Sequence, residues 1–339
     1  MKRNVLLLSI VAAFAGAAGA QSSVTIYGRV NTSVESQKTT GVERTVVLQN
    51  NSSRWGLKGS EDLGSGMKAF LFLESGFGSD TGQLTGGGGL FNRESFAGIS
   101  GGFGAIRGGR ITSPVYFASA DYVSMHNHDT GTSSDFLFGF AATGGNNNNS
   151  ITYKTPSLGF GDIEIAYSLA ASGSEQPGSA NLRNTQIAYN YVGGPLHIGA
   201  GYAQMDDKRA ATVPNRKDQT AVIRALYEMG AFTVGGYYER SKLEFAGQRR
   251  SRNNFRLAGM YAMGPSEFHL NFGLAGEFSG TNDTGAKQFT VGYNYNLSKR
   301  TKVYAFYTQV DEDSNGTYYL GATPGAKFSS LAAGLRHNF

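Results

Sequence analysis

The chain has 339 residues, 40% apolar, 16% charged and 12% aromatic, with 48 Gly, 7 Pro and no Cys. Its 22 Phe and 18 Tyr give it surface to bury, which excludes global disorder, and no Gly-X-Y period exists, which excludes collagen. The lack of cysteine removes disulfides, thiolate metal sites and cysteine nucleophiles, and a formal net charge of +5 is too small for a nucleic-acid-binding surface.

Lys2 and Arg3 precede an apolar run from Val5 to Ala18, followed by Gly19 and Ala20. A basic start, a short apolar segment and a small-residue end predict a cleaved secretory signal over 1–20 and a mature domain over 21–339. Lys2 and Arg3 leave with the signal, so 28 basic residues face 25 acidic ones, a net +3. No later window is apolar for the 18 residues a membrane-spanning helix needs.

The mature chain repeats a period-two alternation. Val24, Ile26, Val30 and Val34 alternate with Thr25, Arg29, Asn31 and Glu35. Ile163, Ile165, Tyr167 and Leu169 alternate with Asp162, Glu164, Ala166 and Ser168, and Phe289, Val291, Tyr293, Tyr295 and Leu297 with Thr290, Gly292, Asn294 and Asn296. In a strand such sets point to opposite faces, one apolar and one wettable. About sixteen such stretches occur, centred near 29, 56, 71, 97, 108, 152, 165, 187, 200, 224, 237, 258, 272, 291, 306 and 333. Short turns, such as Gly101-Gly102-Phe103-Gly104 and Met229-Gly230, alternate with long polar loops near 36–50, 78–92, 112–148, 172–181, 206–218, 245–252, 279–285 and 311–326. Tight turns at one end and long loops at the other predict an all-β fold, a 16-stranded antiparallel transmembrane β-barrel. A soluble sandwich of this length would divide into two domains, and no linker divides this chain. The barrel has a wet lumen and little need of a dry core, consistent with a mean hydropathy of −0.28. The last strand places Leu331, Ala333, Leu335, His337 and the terminal Phe339 on one face and must pair with the first, since an open edge is untenable in lipid.

Seven segments in order carry a family resemblance. They are Ser23-Val24-Thr25-Ile26-Tyr27-Gly28, Ser53-Arg54-Trp55-Gly56-Leu57-Lys58-Gly59-Ser60-Glu61-Asp62-Leu63-Gly64, Asn92-Arg93-Glu94-Ser95-Phe96-Ala97-Gly98, Gly108-Gly109-Arg110, Asn149-Ser150-Ile151-Thr152-Tyr153, Tyr293-Asn294-Tyr295-Asn296-Leu297-Ser298-Lys299-Arg300-Thr301 and Gly334-Leu335-Arg336-His337-Asn338-Phe339. In these the chain resembles the general porins of beta-proteobacteria, over essentially its whole mature length. The resemblance implies a homotrimeric passive channel in the outer membrane of a Gram-negative bacterium, multi-pass and in contact with outer-membrane lipid and lipopolysaccharide. It also implies a long third loop, here about Thr112 to Asn148, folded into the lumen, and a wall of arginines facing it, to which Arg54 and Arg93 correspond. The resemblance also implies, in many relatives, a third basic residue where this chain has Asn146 to Asn148, and so a weaker cluster here.

Alternation turns Arg29, Arg54, Lys58 and Arg107 to the lumen; Arg110 is a further candidate. Arg93 shares parity with Ala97 and Ile99 and reaches the lumen only through a bulge or a later strand start. Asp121, Asp129 and Asp135 are candidates for an opposing negative wall, or are simply solvated loop charges, and Phe339 is the candidate membrane-insertion signal. No cofactor or metal is expected. His126-Asn127-His128-Asp129 lacks converging ligands, and the calcium-like start at Asp311 has Ala322 where a bidentate Glu would stand. No nucleophile elbow or catalytic Ser/His/Asp spacing stands out, so an enzyme is not expected. The expected function is passive diffusion of small hydrophilic solutes and ions with mild anion preference. The alternative is a solute-specific channel for an anion or organic acid. A barrel enzyme or an adhesin is a more distant reading, open to a hydrolase or ligand-binding assay.

Overall fold

The computed structural model describes residues 23–87, 89–123, 137–171, 175, 182–207, 216–317 and 323–339. Seventeen strand segments form one antiparallel sheet. They are β1 (Ser23–Thr39), β2 (Thr45–Asn50), β3 (Arg54–Gly64), β4 (Met67–Gly76), β5 (Glu94–Gly101), β6 (Gly104–Thr112), β7 (Asn146–Lys154), β8 (Asp162–Ser168) and β9 (Leu182–Gly193). The series continues with β10 (Leu196–Asp207), β11 (Arg216–Met229), β12 (Phe232–Phe245), β13 (Gln248–Met263), β14 (Ser266–Ala275), β15 (Ala286–Asn296), β16 (Thr301–Glu312) and β17 (Lys327–Asn338). β2 and β3 both pair with β1, from Gln37↔Thr45 to Thr32↔Asn50 and from Arg29↔Arg54 to Ser23↔Ser60. They are halves of one stave, interrupted at Ser52 by a backbone φ of 57°. The barrel therefore has sixteen strands, and every strand centre expected from the alternation falls within one of them.

Pairing of β1 with β17, from Arg29↔Asn338 to Thr39↔Phe328, closes the cylinder. The terminal residue completes the seam: Phe339 N donates to the Gly28 carbonyl (3.0 Å), and Gly28 N donates to that of Phe339 (3.1 Å). On the inner side, Tyr304 of β16 reaches across β17 to β1. Its hydroxyl donates to Asn31 Oδ1 (2.8 Å) and accepts from Asn51 Nδ2 (2.7 Å). Gly334 makes this crossing possible, because a Cβ there would lie 2.4 Å from the Tyr304 ring and 2.6 Å from the Thr32 carbonyl oxygen.

The outer face carries the apolar half of the alternation. Near the short turns, Phe232, Tyr261, Phe268 and Tyr293 are successive cross-strand partners with ring centroids 4.6, 6.4 and 5.2 Å apart, one arc of an aromatic girdle. Above it, Ile223, Tyr238, Phe255 and Leu274 are all exposed. In water these would be costly; in a bilayer they face their natural solvent. The inner face is polar, with Asn31, Ser33, Asn184, Gln186, Thr220, Asn271, Thr290 and Asn294 all withdrawn from the outer surface.

Three expectations are corrected. The supposed long loop at 36–50 is a short connection between β1, which ends at Thr39, and β2, which begins at Thr45. The supposed long loop at 245–252 is a two-residue turn, in which Phe245 pairs with Gln248 and Ala246 and Gly247 both take left-handed φ (52° and 78°). Polar composition there marks strand ends that rise above the membrane, not a loop. The interior also has a dry cluster, formed by Val115, Ala118, Ala120, Phe138 and Ala142 with Ala188, Ala203, Val222 and Tyr237.

Replacing Gly334 with Val would place side-chain atoms in the path of Tyr304 and break its bonds to Asn31 and Asn51. Overpacking of this kind costs about 1–3 kcal/mol, so the urea midpoint for unfolding from lipid vesicles is expected to fall. An unchanged midpoint would show that the seam does not depend on this crossing.

Candidate functional site: the inner wall

Small inward residues on β9 to β11 create room against the wall. A Cβ at Gly201 would meet Val115 at 2.7 Å, and one at Gly199 would meet the Ala118 carbonyl oxygen at 2.3 Å. The first described part of the long β6–β7 connection lies here, as a helical turn at Pro114–Tyr116 running into Phe117–Asp121. Ser113 caps the turn, accepting from Tyr116 N (3.1 Å) while its hydroxyl bonds Gln186 Oε1 (2.6 Å). Arg224 of β11 anchors the far end. Its Nε donates to the Ala118 carbonyl (3.0 Å), and its guanidinium lies 3.7 Å from the Tyr122 ring centroid. It also bonds the side chain of Asn190 and the carbonyl of Ile198 (3.2 Å), while Tyr122 Oη pairs with His197 Nδ1 (3.0 Å).

The returning part of the connection crosses further strands. Leu137 packs with Ala275 and Ala286, and Gly139 N donates to Glu239 Oε2 of β12 (2.9 Å). The carbonyls of Ala142 and Thr143 accept from Asn184 (2.8 Å) and Gln186 (2.8 Å) of β9. All these partners are inward positions of the alternation. None of the wall residues was singled out in the sequence. The available signal was the run of small inward residues at Ala188, Gly199, Gly201 and Ala203, opposite a charged residue at 224.

On the other side of the interior stand most of the cations expected there. Arg29 and Arg54 are direct cross-strand partners, and Arg29 donates to the Ser52 carbonyl (3.1 Å). Arg93 lies just before β5, so its parity within that strand is immaterial; its Nε pairs with Glu74 Oε1 at 2.6 Å. Glu74 also accepts from Tyr27 Oη (3.1 Å), and Glu94 beside it accepts from Thr112 N (3.0 Å). Arg107 pairs with Glu164 (2.7 Å), bonds Thr152 (3.1 Å) and lies over the Phe96 ring (4.8 Å). Lys154 pairs with Asp162 (3.0 Å).

Lys58 differs from these. Its Nζ lies 5.6 Å from the Tyr27 ring centroid, and no carboxylate pairs with it among the described residues. It borders a cavity of about 570 Å³ between this wall and Pro114, Phe117 and Ala118 of the long connection. Phe72 and Phe96, stacked at 5.3 Å, floor that cavity, with Arg107 and Lys154 at its edge.

Arg110 donates to the Asn92 carbonyl (3.0 Å), next to Arg93, and bonds the side chain of Asn148. Asn146 bonds Thr112 (2.8 Å) and Asn147 bonds the Thr143 carbonyl (3.0 Å). Asn146, Asn147 and Asn148 thus tie down the base of the connection. Asp121 ends the first segment. Asp129, Asp135 and the motif His126-Asn127-His128-Asp129 lie outside the described residues, as does the expected signal over 1–20. Among the described residues no cluster of three His, Asp or Glu is placed to hold a metal.

Comparison with known proteins agrees with this architecture. The family model described as Gram-negative porin matches residues 7–315. Outer membrane porin protein 32 of Delftia acidovorans is 30% identical over an alignment covering 100% of both chains. Among solved structures, an anion-selective porin from Comamonas acidovorans superposes with a TM-score of 0.79 at 27% identity, covering 94% of this chain and 100% of that one. OmpT of Vibrio cholerae in a trimer form has the same fold, with a TM-score of 0.69 at 16% identity, covering 94% and 99%. A closed sixteen-stranded barrel, apolar outside and polar within, together with these likenesses, shows that the chain belongs to the Gram-negative porin family, as an outer-membrane porin.

Proposed function

We propose that the porin is a trimeric, water-filled diffusion channel for small hydrophilic solutes and ions, with mild anion preference. In this reading the long connections face outward from the cell, the signal over 1–20 is removed, and Phe339 serves as the insertion signal. The third long loop, about Thr112 to Asn148, is read as narrowing the lumen, a reading supported by its described parts, 113–123 and 137–145, which lie against the inner wall. The observation that carries the reading is the inner wall of β1 to β8, where cations border a cavity roofed by that connection.

Pairing sets the strength of the preference. Arg93, Arg107 and Lys154 each have a carboxylate within 3.0 Å, so their fields largely cancel at the distance of a passing ion. Lys58, with no carboxylate paired to it among the described residues, contributes most of what remains. One unit charge about 6 Å from an ion in water contributes roughly 0.7 kcal/mol, and screening with a Debye length of about 8 Å at physiological salt reduces it. Selectivity is therefore partial and stronger at low salt.

A second reading, a channel specific for an organic acid, draws on the cavity itself, which sets two stacked rings beside Lys58. A flat carboxylic acid matches that combination, and saturable block of the current by such acids, absent with chloride alone, distinguishes this reading from the first.

Purified protein is expected to give large, ohmic conductance in steps of three in planar bilayers; folded protein without conductance overturns the proposal. Arg54→Glu is expected to move the reversal potential in a salt gradient toward cations. Lys58→Glu should move it at least as far, because no carboxylate pairs with the native charge among the described residues. An unchanged potential in either variant removes that residue from the selectivity mechanism. Arg224→Ala frees the segment around Ala118 and Tyr122 and is expected to raise conductance or current noise. Traces identical to wild type would show that the connection is held without it.

A further inference from the structure

Passive diffusion of hydrophilic solutes makes no use of aromatic rings on the wet side of a wall. Alternation nevertheless turns Phe70 and Phe72 of β4 and Phe96 of β5 inward, with Leu71 and Ala97 outward. Phe72 and Phe96 are direct cross-strand partners, their rings nearly parallel at 11° with centroids 5.3 Å apart. Tyr27 of β1 extends the run on one side (5.3 Å to Phe72), and Phe70 extends it on the other (6.3 Å to Phe96). Glycines in the wall make room for the outer two. A Cβ at Gly98, the cross-strand partner of Phe70, would lie 2.5 Å from Phe70 Cζ, and one at Gly56 would lie 2.6 Å from Tyr27 Cζ. These rings therefore lie along the sheet and do not stand out from it.

Phe70, Phe72 and Phe96 line the cavity of about 570 Å³, and the exposed Phe117 of the long connection borders it from the other side. The polar groups around this space fall into two sets. Lys58 has no paired carboxylate among the described residues, and the hydroxyls of Thr25, its cross-strand partner, and of Ser60 border the same space. Arg107 with Glu164 (2.7 Å) and Lys154 with Asp162 (3.0 Å) are ion pairs that neutralise themselves. Three cations thus meet two carboxylates in the lining, which leaves one positive charge, at Lys58, beside an aromatic surface. A second anionic group on the same occupant would meet Glu164 and Asp162.

We propose that this cavity is a recognition site for aromatic monocarboxylates, compounds in which one flat ring bears one carboxylate. The ring stacks on the Phe72–Phe96 surface, and the carboxylate reaches Lys58 and the hydroxyls of Thr25 and Ser60. The inference deepens the organic-acid reading given above and rests on it. Offset stacking of one ring on another adds to what apolar area alone supplies, so an aromatic ring is favoured over a saturated ring of similar size. An inorganic anion satisfies Lys58 but leaves the aromatic surface exposed to water.

Block of the chloride current through the porin in planar bilayers tests the site, with benzoate, cyclohexanecarboxylate, benzamide and terephthalate as probes. Benzoate is expected to block saturably, at a concentration about three- to tenfold below that of cyclohexanecarboxylate. Benzamide, which lacks the charge, and terephthalate, which doubles it, should both be weaker than benzoate. Lys58→Gln should weaken benzoate about fivefold and leave the ratio of benzoate to cyclohexanecarboxylate as it is. Phe72→Leu combined with Phe96→Leu should instead bring that ratio close to one. The four probes on wild type decide the matter even where a variant fails to insert. Equal block by benzoate and cyclohexanecarboxylate overturns the stacking site and leaves the organic-acid channel intact. Benzamide as strong as benzoate overturns the part given to Lys58, and terephthalate as strong as benzoate overturns the preference for a single charge. If no carboxylate blocks saturably, the organic-acid reading falls and this inference falls with it.

Discussion

An unpaired backbone N–H or C=O in hydrocarbon costs several kcal/mol, and a sheet can meet that constraint only by closing on itself. In this porin closure takes place between β1 and β17, and the last residue takes part, with Phe339 exchanging both backbone bonds with Gly28. Other features follow from that seam. A closed sheet has one face to lipid and one to water, so the period-two pattern must hold all the way round. The inner face near the seam is stitched by polar groups, with Tyr304 joined to Asn31 and Asn51 across β17 and Ser330 joined to Glu35 (2.9 Å). Gly334 is small because an aromatic ring must pass over it.

The interior is asymmetric. One arc of wall, β9 to β12, has small or hydrogen-bonding residues pointing inward and is occupied by the described parts of the long connection. The small apolar cluster there is where this wet barrel resembles a globular protein, and Arg224 and Glu239 secure it with bonds to backbone groups of the connection. The opposite arc, β1 to β8, keeps its cations and borders the cavity. Many of those cations are matched by carboxylates at hydrogen-bonding distance, so a count of arginines overstates the field. The charge balance of the channel rests more on which cations lack a close partner than on the net charge of the chain.

Much of the architecture was legible in the sequence because its cause is local. Strand residues alternate whatever their neighbours are, and lipid outside with water inside makes the two sides chemically distinct along a single stretch such as 289–297. That placed sixteen strands, put Arg29, Arg54, Lys58 and Arg107 on the inner face, and put the terminal aromatic on the outer one. Polarity alone misled at 245–252, because a strand that rises out of the membrane is as polar as a loop. Arg93 could not be placed by parity, since its position depends on where β5 begins and on Glu74 from the neighbouring strand.

The sequence by itself determined that the chain is a closed, two-faced β-sheet, because a period of two is read residue by residue. It also determined the ends of the strands to within a few positions, wherever glycine-rich turns marked them. Only the tertiary structure decided which cations share a carboxylate, that Lys58 has none paired with it among the described residues, and which arc of wall receives the long connection. These are matters of register between strands distant in sequence, and a register shift of one residue would exchange the two faces. Pairwise electrostatics and packing therefore enter only after closure has fixed every strand against its neighbours.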